Sequence, residues 1–211
     1  MPKNTTLFNP IADYIDKLDS KSISQERKKV LQSLIDFVQE RKSQNKPILL
    51  NFICTHNSRR SHLAQVWAQT LATYYNVNNV ACYSGGTEAT AVFPMVLQVL
   101  KKTGFEMAIL SAGENPVCGI KYAKNADPII GFSKKYDDIF NPQSEFAAIM
   151  TCSQADDGCP FVAGADERIV ITYQDPKISD GTPEQEKIYS ARSMQIATEM
   201  KYVFSQIMNI K

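Results

Sequence analysis

Two histidines, a net charge of +1 and the want of any long apolar run set the first limits on this 211-residue chain. With only His56 and His62 as histidines, a zinc site with its four ligands would have to draw on cysteines. Lys+Arg 23 against Asp+Glu 22 leaves no chain-wide field for nucleic acid or an anionic membrane, so any anion must be bound locally. No segment approaches the roughly 20 apolar residues of a membrane span, and the polar start Met1-Pro2-Lys3-Asn4-Thr5-Thr6 is no secretory signal, so a cytoplasmic chain is expected. Five cysteines are too few for a disulfide scaffold at this length, and a reducing compartment leaves them as thiols open to redox work. No internal repeat or low-complexity tract is present. The length and a hydrophobic content of 44% suit one core with elaborations, and two separate enzymes would not fit.

What is present is an alternation of short apolar runs with longer helical patterns. Strands are expected near 47–53, 79–84, 146–151 and 168–173, and helices near 60–75, 91–103 and 183–208. Ahead of them, residues 1–46 read as a helical extension. Ser22-Ile23-Ser24-Gln25 resembles a capping box, Val30, Leu31, Leu34, Ile35, Phe37 and Val38 mark an apolar face, and Phe8 to Leu18 suggest a shorter helix. Strands separated by helices imply parallel crossovers. The expected fold is α/β: an open, mainly parallel four-stranded sheet with helices on both faces, formed by residues 47–211. Its ligands should bind at the carboxyl ends of the strands. Residues 111–145, with Pro116, Gly119, Pro128, Gly131 and Pro142, read as an irregular or hairpin-bearing insertion over one edge of that site.

The first strand runs directly into Cys54-Thr55-His56-Asn57-Ser58-Arg59-Arg60-Ser61, which opens the first long helix of the sheet. A cysteine at a strand end is commonly just a small core residue. Arginine six residues on and serine seven residues on, between a buried strand and a helix, argue for chemistry instead. The loop residues Thr55, His56, Asn57, Ser58, Arg59 and Arg60 can turn backbone N–H groups and the helix N-terminus toward an oxyanion. Arg60 adds a planar fork able to grip two oxygens. A thiol in such a field is held as the nucleophilic thiolate, and Ser61 can hydrogen-bond the sulfur as it attacks or leaves.

Two further pieces stand at strand ends. Phe146 to Cys152 closes one strand in a thiol, and Cys159-Pro160 follows seven residues later. In a regular segment that spacing is too long for a disulfide, although a looped one around Asp157-Gly158 can close it. Zinc and two incidental thiols are the competing accounts. Farther on, Arg168 to Tyr173 reads as a strand from which Gln174-Asp175-Pro176 departs. A carboxylate there is placed to protonate a leaving oxygen. Asp127-Pro128 is a second copy of the dipeptide, but it lies in the insertion.

Together with Ser84-Gly85-Gly86-Thr87-Glu88-Ala89-Thr90, these pieces resemble the thioredoxin-coupled arsenate reductases, built on the low-molecular-weight protein tyrosine phosphatase fold. The resemblance spans roughly residues 47–208. It implies a relay in which Cys54 attacks arsenate, held by the loop and Arg60, while Asp175 protonates the departing oxygen. Cys152 then attacks Cys54 and releases arsenite, Cys159 attacks Cys152, and thioredoxin reduces the Cys152–Cys159 bond. The resemblance also gives Asn57 the task of holding the loop in shape. No bound cofactor or metal is implied, and thioredoxin is an external partner. Three positions depart from the family: His56 where glycine is common, Arg59 where a small or thiol residue is common, and Gln65 where a related subgroup has a cation-binding glutamate. A phosphatase acting on phosphotyrosine or an aryl phosphate with the same Cys54, Arg60 and Asp175 is the alternative. A non-enzymatic anion or redox sensor is the reading from a different class.

Overall fold

The computed structural model describes residues 6–158 and 161–208. Its main sheet has four strands, all parallel: β1 (Ile48–Cys54), β2 (Val80–Gly86), β6 (Phe146–Met150) and β7 (Ala165–Val170), in the order β2-β1-β6-β7. The chain leaves β1 through α3 (Arg60–Tyr74) for β2 on one side, and leaves β6 through α5 (Ser153–Gly158) for β7 on the other. The strand order therefore reverses between β1 and β6. In open parallel sheets the crevice at that point binds ligands, and here it receives Cys54 at the end of β1 and Cys152 two residues past the end of β6.

Alternation along the strands divides the interior in two. Ile48, Leu50 and Phe52 of β1, with Ala147 and Ile149 of β6, face the larger core. That core is filled by α1 (Asn9–Lys17), α2 (Gln25–Ser43), α3, α4 (Pro94–Thr103) and α6 (Gln185–Ser205). Ile53, Cys54, Phe146, Ala148, Met150 and Cys152 belong to a smaller cluster closed by Ala155 of α5, by Val162 and by the partly buried Tyr136. The N-terminal helices share the larger core with the sheet. Trp67 of α3 is fully buried, stacks on Tyr14 of α1 (5.5 Å between centroids), meets Phe105 edge-on (5.2 Å) and donates from Nε1 to Ser193 Oγ of α6 (2.9 Å). Removing such a side chain to alanine costs about 3–5 kcal/mol, so the helix that carries Arg60 is anchored from three sides.

Two boundaries differ from the sequence expectation. The region expected to be irregular or hairpin-bearing from 111 begins earlier, as an antiparallel three-stranded sheet of β3 (Glu106–Ser111), β4 (Val117–Lys121) and β5 (Ile129–Gly131). The apolar Ile109 and Leu110 of β3 are exposed, so no buried face announced the strand. The last strand of the main sheet closes at Val170 rather than Tyr173. Ile171 N and Tyr173 N still donate to Met150 O and Thr151 O, both at 3.0 Å, so the chain is held against β6 as far as the approach to Asp175. Among the described residues, no helix is long and apolar enough to cross a membrane.

Candidate active site

The loop between β1 and α3 is held by its carbonyls. Cys54 O accepts from Thr87 N (3.1 Å), Thr55 O from Glu88 N (2.8 Å) and Thr87 Oγ1 (3.1 Å), and His56 O from Ser133 Oγ (2.9 Å) and Thr90 Oγ1 (3.1 Å). Asn57 O accepts from His62 Nε2 (2.9 Å), Ser58 O from Phe93 N (3.0 Å) and Arg59 O from Leu63 N (3.1 Å). Six consecutive carbonyls are thus bonded away from the loop's centre. The N–H groups of residues 55–60 find no acceptor among the described residues, which leaves them free to converge on an anion.

Gly86 makes that close approach possible. A Cβ there would lie 2.3 Å from Glu88 O and 2.7 Å from both Asn57 N and Thr55 O, inside the contact distance of any backbone atom.

Asn57 is the brace. Its φ of 44° is left-handed, a region asparagine tolerates better than most residues. Its Oδ1 accepts from Lys134 N (2.9 Å), which fixes the amide orientation, so Nδ2 is the donor to Ser61 Oγ (2.9 Å). Ser61 Oγ lies 3.1 Å from Cys54 Sγ. With its oxygen already accepting from Asn57, the hydroxyl directs its proton at the sulfur. Cys54 is 3% exposed, at the floor of the loop.

His62 is fully buried behind the loop, and burial first, then the nearby Lys134 charge, lowers its pKa to about 3. It is neutral: Nε2–H donates to Asn57 O, and Nδ1 accepts from Ser84 Oγ at 3.3 Å. Lys134 is itself buried, over the faces of Phe132 (4.3 Å) and Phe140 (5.2 Å), and burial lowers its pKa to about 8. Gln65 donates through Nε2 to Cys82 O (3.0 Å) and Ile130 O (3.4 Å). Its Oε1 is buried with no hydrogen-bond partner among the described residues.

Arg60 and Asp175 meet. Arg60 Nη2 pairs with Asp175 Oδ2 at 2.5 Å, Nη1 donates to Tyr173 O at 3.1 Å, and Nε is buried with no partner among the described residues. The fork expected to grip two oxygens is therefore partly taken by the carboxylate, and an incoming dianion has to compete for Nη2. Asp175 Oδ1 accepts from Lys177 N (3.0 Å) and so caps the 3-10 turn Pro176–Ser179. Asp127, the other Asp-Pro aspartate, is exposed in the chain leading to β5.

Arg59 contributes differently from its neighbour. Its guanidinium is turned through Nε and Nη2 to Tyr189 and Asp180 and lies over the ring of Phe93, while its backbone N–H stays in the loop. His56 is partly exposed, with Nε2 3.6 Å from Glu88.

The strand expected to close in Cys152 ends at Met150, and Cys152 lies two residues beyond it, 1% exposed. Its Sγ lies 3.4 Å from Thr55 Oγ1 and accepts from Ala155 N (3.3 Å) at the start of α5, which Arg168 pins through Asp156. Both Cys54 and Cys152 are free thiols within one buried cluster. Cys159 lies outside the described residues. A cleft of about 860 Å³ opens beside Arg60 and Asp175, bordered by Gln154, Tyr173 and Ile178.

Sequence reasoning missed Ser133, Lys134, Asp180 and Tyr189, all of which hold the loop or its neighbours. They are separated from it by about 75–130 positions and carry no local motif; only contact in the folded chain identifies them.

No family model matches the chain. An arsenate reductase of Halalkalibacterium halodurans is 26% identical over 141 residues, covering 67% of this chain and 82% of that protein. An arsenate reductase of Staphylococcus aureus strain Newman is 41% identical over 58 residues, 27% of this chain and 40% of its own. Among solved structures, a low-molecular-weight phosphotyrosine phosphatase from Vibrio cholerae O395 superposes with a TM-score of 0.51 at 11% identity, covering 75% of this chain and 94% of its own. A low-molecular-weight protein tyrosine phosphatase from T. tengcongensis gives the same TM-score at 14% identity, covering 75% and 99%. The fold is that of these phosphatases.

Proposed function

We propose that this chain, an enzyme related to the arsenate reductases and built on the low-molecular-weight phosphatase fold, reduces arsenate to arsenite with its own thiols in the cytoplasm. Cys54 thiolate attacks the arsenic, an As–O bond breaks, and the departing oxygen takes a proton from Asp175 and leaves as water. The loop N–H groups and Arg60 hold the remaining oxygens. Cys152 thiolate then attacks Cys54 Sγ. The S–As bond breaks with its electron pair staying on arsenic, so As(V) becomes As(III) and two thiols become one disulfide. Cys159 attacks Cys152 in turn and restores Cys54, and a dithiol such as that of thioredoxin returns the two electrons.

The observation that favours reduction over hydrolysis is the buried Cys152 beside Thr55 of the loop. A phosphatase has no use for a second thiol, because water can resolve its Cys54 intermediate. Hydrolysis of phosphotyrosine or an aryl phosphate is the second reading. It is favoured by the fold neighbours.

One panel tests both. Arsenate-dependent NADPH consumption with thioredoxin and its reductase is measured beside aryl phosphate hydrolysis, in wild type, Cys54→Ser, Cys152→Ser and Cys159→Ser. Cys54→Ser should lose both activities. The other two should lose multiple-turnover reduction and keep hydrolysis, and Cys159→Ser should accumulate a Cys54–Cys152 disulfide, read by non-reducing peptide mapping. Finding no disulfide after arsenate, with hydrolysis intact, would promote the phosphatase.

A further inference from the structure

The two consecutive arginines of the loop hold the two ends of one turn. Arg60 pairs with Asp175 ahead of the 3-10 turn, and Arg59 pairs with Asp180 behind it, each at 2.5 Å. The Arg59 end is a closed polar triangle: Arg59 Nε donates to Tyr189 Oη (2.5 Å), Tyr189 Oη donates to Asp180 Oδ1 (2.6 Å), and Arg59 Nη2 binds Asp180 Oδ2. The guanidinium also lies 4.1 Å from the centroid of Phe93, whose ring stacks on Tyr189. Tyr189 and the anchoring helix α6 are fixed in the main core. Within the turn, Lys177 and Ile178 are exposed, and Ile178 is 87% so, so its apolar side chain holds nothing.

The two grips are not equivalent. Arg60 is the arginine an oxyanion needs, so substrate competes with Asp175 for it. Arg59 is held where it is by its charge pair with Asp180, its Nε and Nη2 hydrogen bonds and its place over Phe93.

We propose that Arg59 is a positioning residue: through Asp180 and Tyr189 it ties the turn bearing Asp175 to the anion loop, so that the acid stays over the site when substrate draws Arg60 away. This rests on the reading of Cys54 as nucleophile and Asp175 as acid. It assigns the family-atypical arginine to the leaving-group step and not to the anion.

The test compares wild type, Arg59→Ala, Arg59→Lys and the milder Asp180→Asn with Asp175→Asn, in the full chain. Hydrogen exchange is followed in the peptide spanning residues 173–183, with and without saturating inorganic phosphate. Phosphate affinity is measured by protection of Cys54 from iodoacetamide. Aryl phosphate cleavage is measured across leaving groups. Loss of the tether should speed exchange in that peptide most when phosphate occupies Arg60, and leave phosphate affinity nearly unchanged. It should slow poor leaving groups by roughly tenfold or more while sparing good ones. Arg59→Ala added to Asp175→Asn should cost little further, since both remove the same step, and Arg59→Lys should recover part of the effect. Should Arg59→Ala fail to fold, Asp180→Asn carries the same expectations. Weakened phosphate protection with unchanged exchange would make Arg59 an anion ligand and overturn the proposal, as would uniform slowing across leaving groups. If Cys54→Ser or Asp175→Asn left turnover intact, the enzymatic reading would fail instead, and the exchange of residues 173–183 would still decide whether Arg59 is a tether.

Discussion

Asn57 reaches Ser61 through a 2.9 Å hydrogen bond from Nδ2 to Oγ, and that contact sets the direction of the serine hydroxyl toward Cys54. The chain of donors runs from Lys134 N through the Asn57 amide and Ser61 to the sulfur. Each bond polarises the next, and the last ends on the Cys54 sulfur.

Asn57→Ala breaks this chain at its centre. Lys134 N loses its acceptor, at a cost of about 1–3 kcal/mol for a buried donor, and alanine in the left-handed region adds about 1 kcal/mol. The urea midpoint should fall accordingly, and Cys54 should react with iodoacetamide several-fold more slowly near neutral pH. Unchanged alkylation would mean that Ser61 does not need Asn57 to find the sulfur.

Gly86→Ala should be more damaging to the site than to the fold. The new methyl group meets the backbone of Thr55, Asn57 and Glu88, and relieving the clash moves the loop that has to hold the anion. Phosphate protection of Cys54 should drop by about tenfold or more, since a shifted loop loses several charge-assisted hydrogen bonds at once. Gly158→Ala, where an added Cβ meets nothing within 4 Å among the described residues, is the matched control and should leave phosphate protection as it was.

Much of this site was legible because the chemistry is local. Cys54 to Ser61 is a contiguous loop, its flanking strand and helix have unmistakable periodicities, and Cys152 and Asp175 announce themselves at the ends of apolar runs. The side-chain role of Arg59 was not legible. Within the loop it has the same type and charge as Arg60, and only Asp180, 121 positions away, turns one of the pair outward. Strand β3 was hidden for the opposite reason. Its Ile109 and Leu110 are exposed, so the pattern of burial that marks the other strands is missing.

The buried His62 makes stability depend on acid in a defined window. The folded state lowers its pKa from 6.5 to about 3, so below 6.5 the unfolded chain binds a proton that the native chain refuses. The stability tied to neutral His62 is complete above pH 6.5 and is lost as the pH falls toward 3, at up to about 1.4 kcal/mol per pH unit. Urea unfolding between pH 4.5 and 7 should show this slope, and His62→Gln should flatten it by that amount. Lys134→Met removes a repelling charge, so it should shrink the loss. An unchanged slope in His62→Gln would assign the acid sensitivity to other groups.

Asp175 should reveal itself by two effects of opposite sign. The carboxylate occupies Arg60 Nη2 at 2.5 Å and repels any dianion that seeks the same donor. Asp175→Asn removes the charge and frees the guanidinium, whose Nε is already buried and unpartnered among the described residues, so phosphate should bind more tightly. The same change removes the proton donor, so the rate should fall, by as much as about 10²-fold or more for leaving groups that are strong bases and little for weak ones. Tighter binding with a leaving-group-dependent loss of kcat cannot come from a general disturbance of the fold, which would weaken both. Asp127→Asn, on the exposed approach to β5, should change neither quantity. If Asp175→Asn weakened phosphate binding, the carboxylate would be a support for Arg60 and not its competitor, and the proton would have to come from another group.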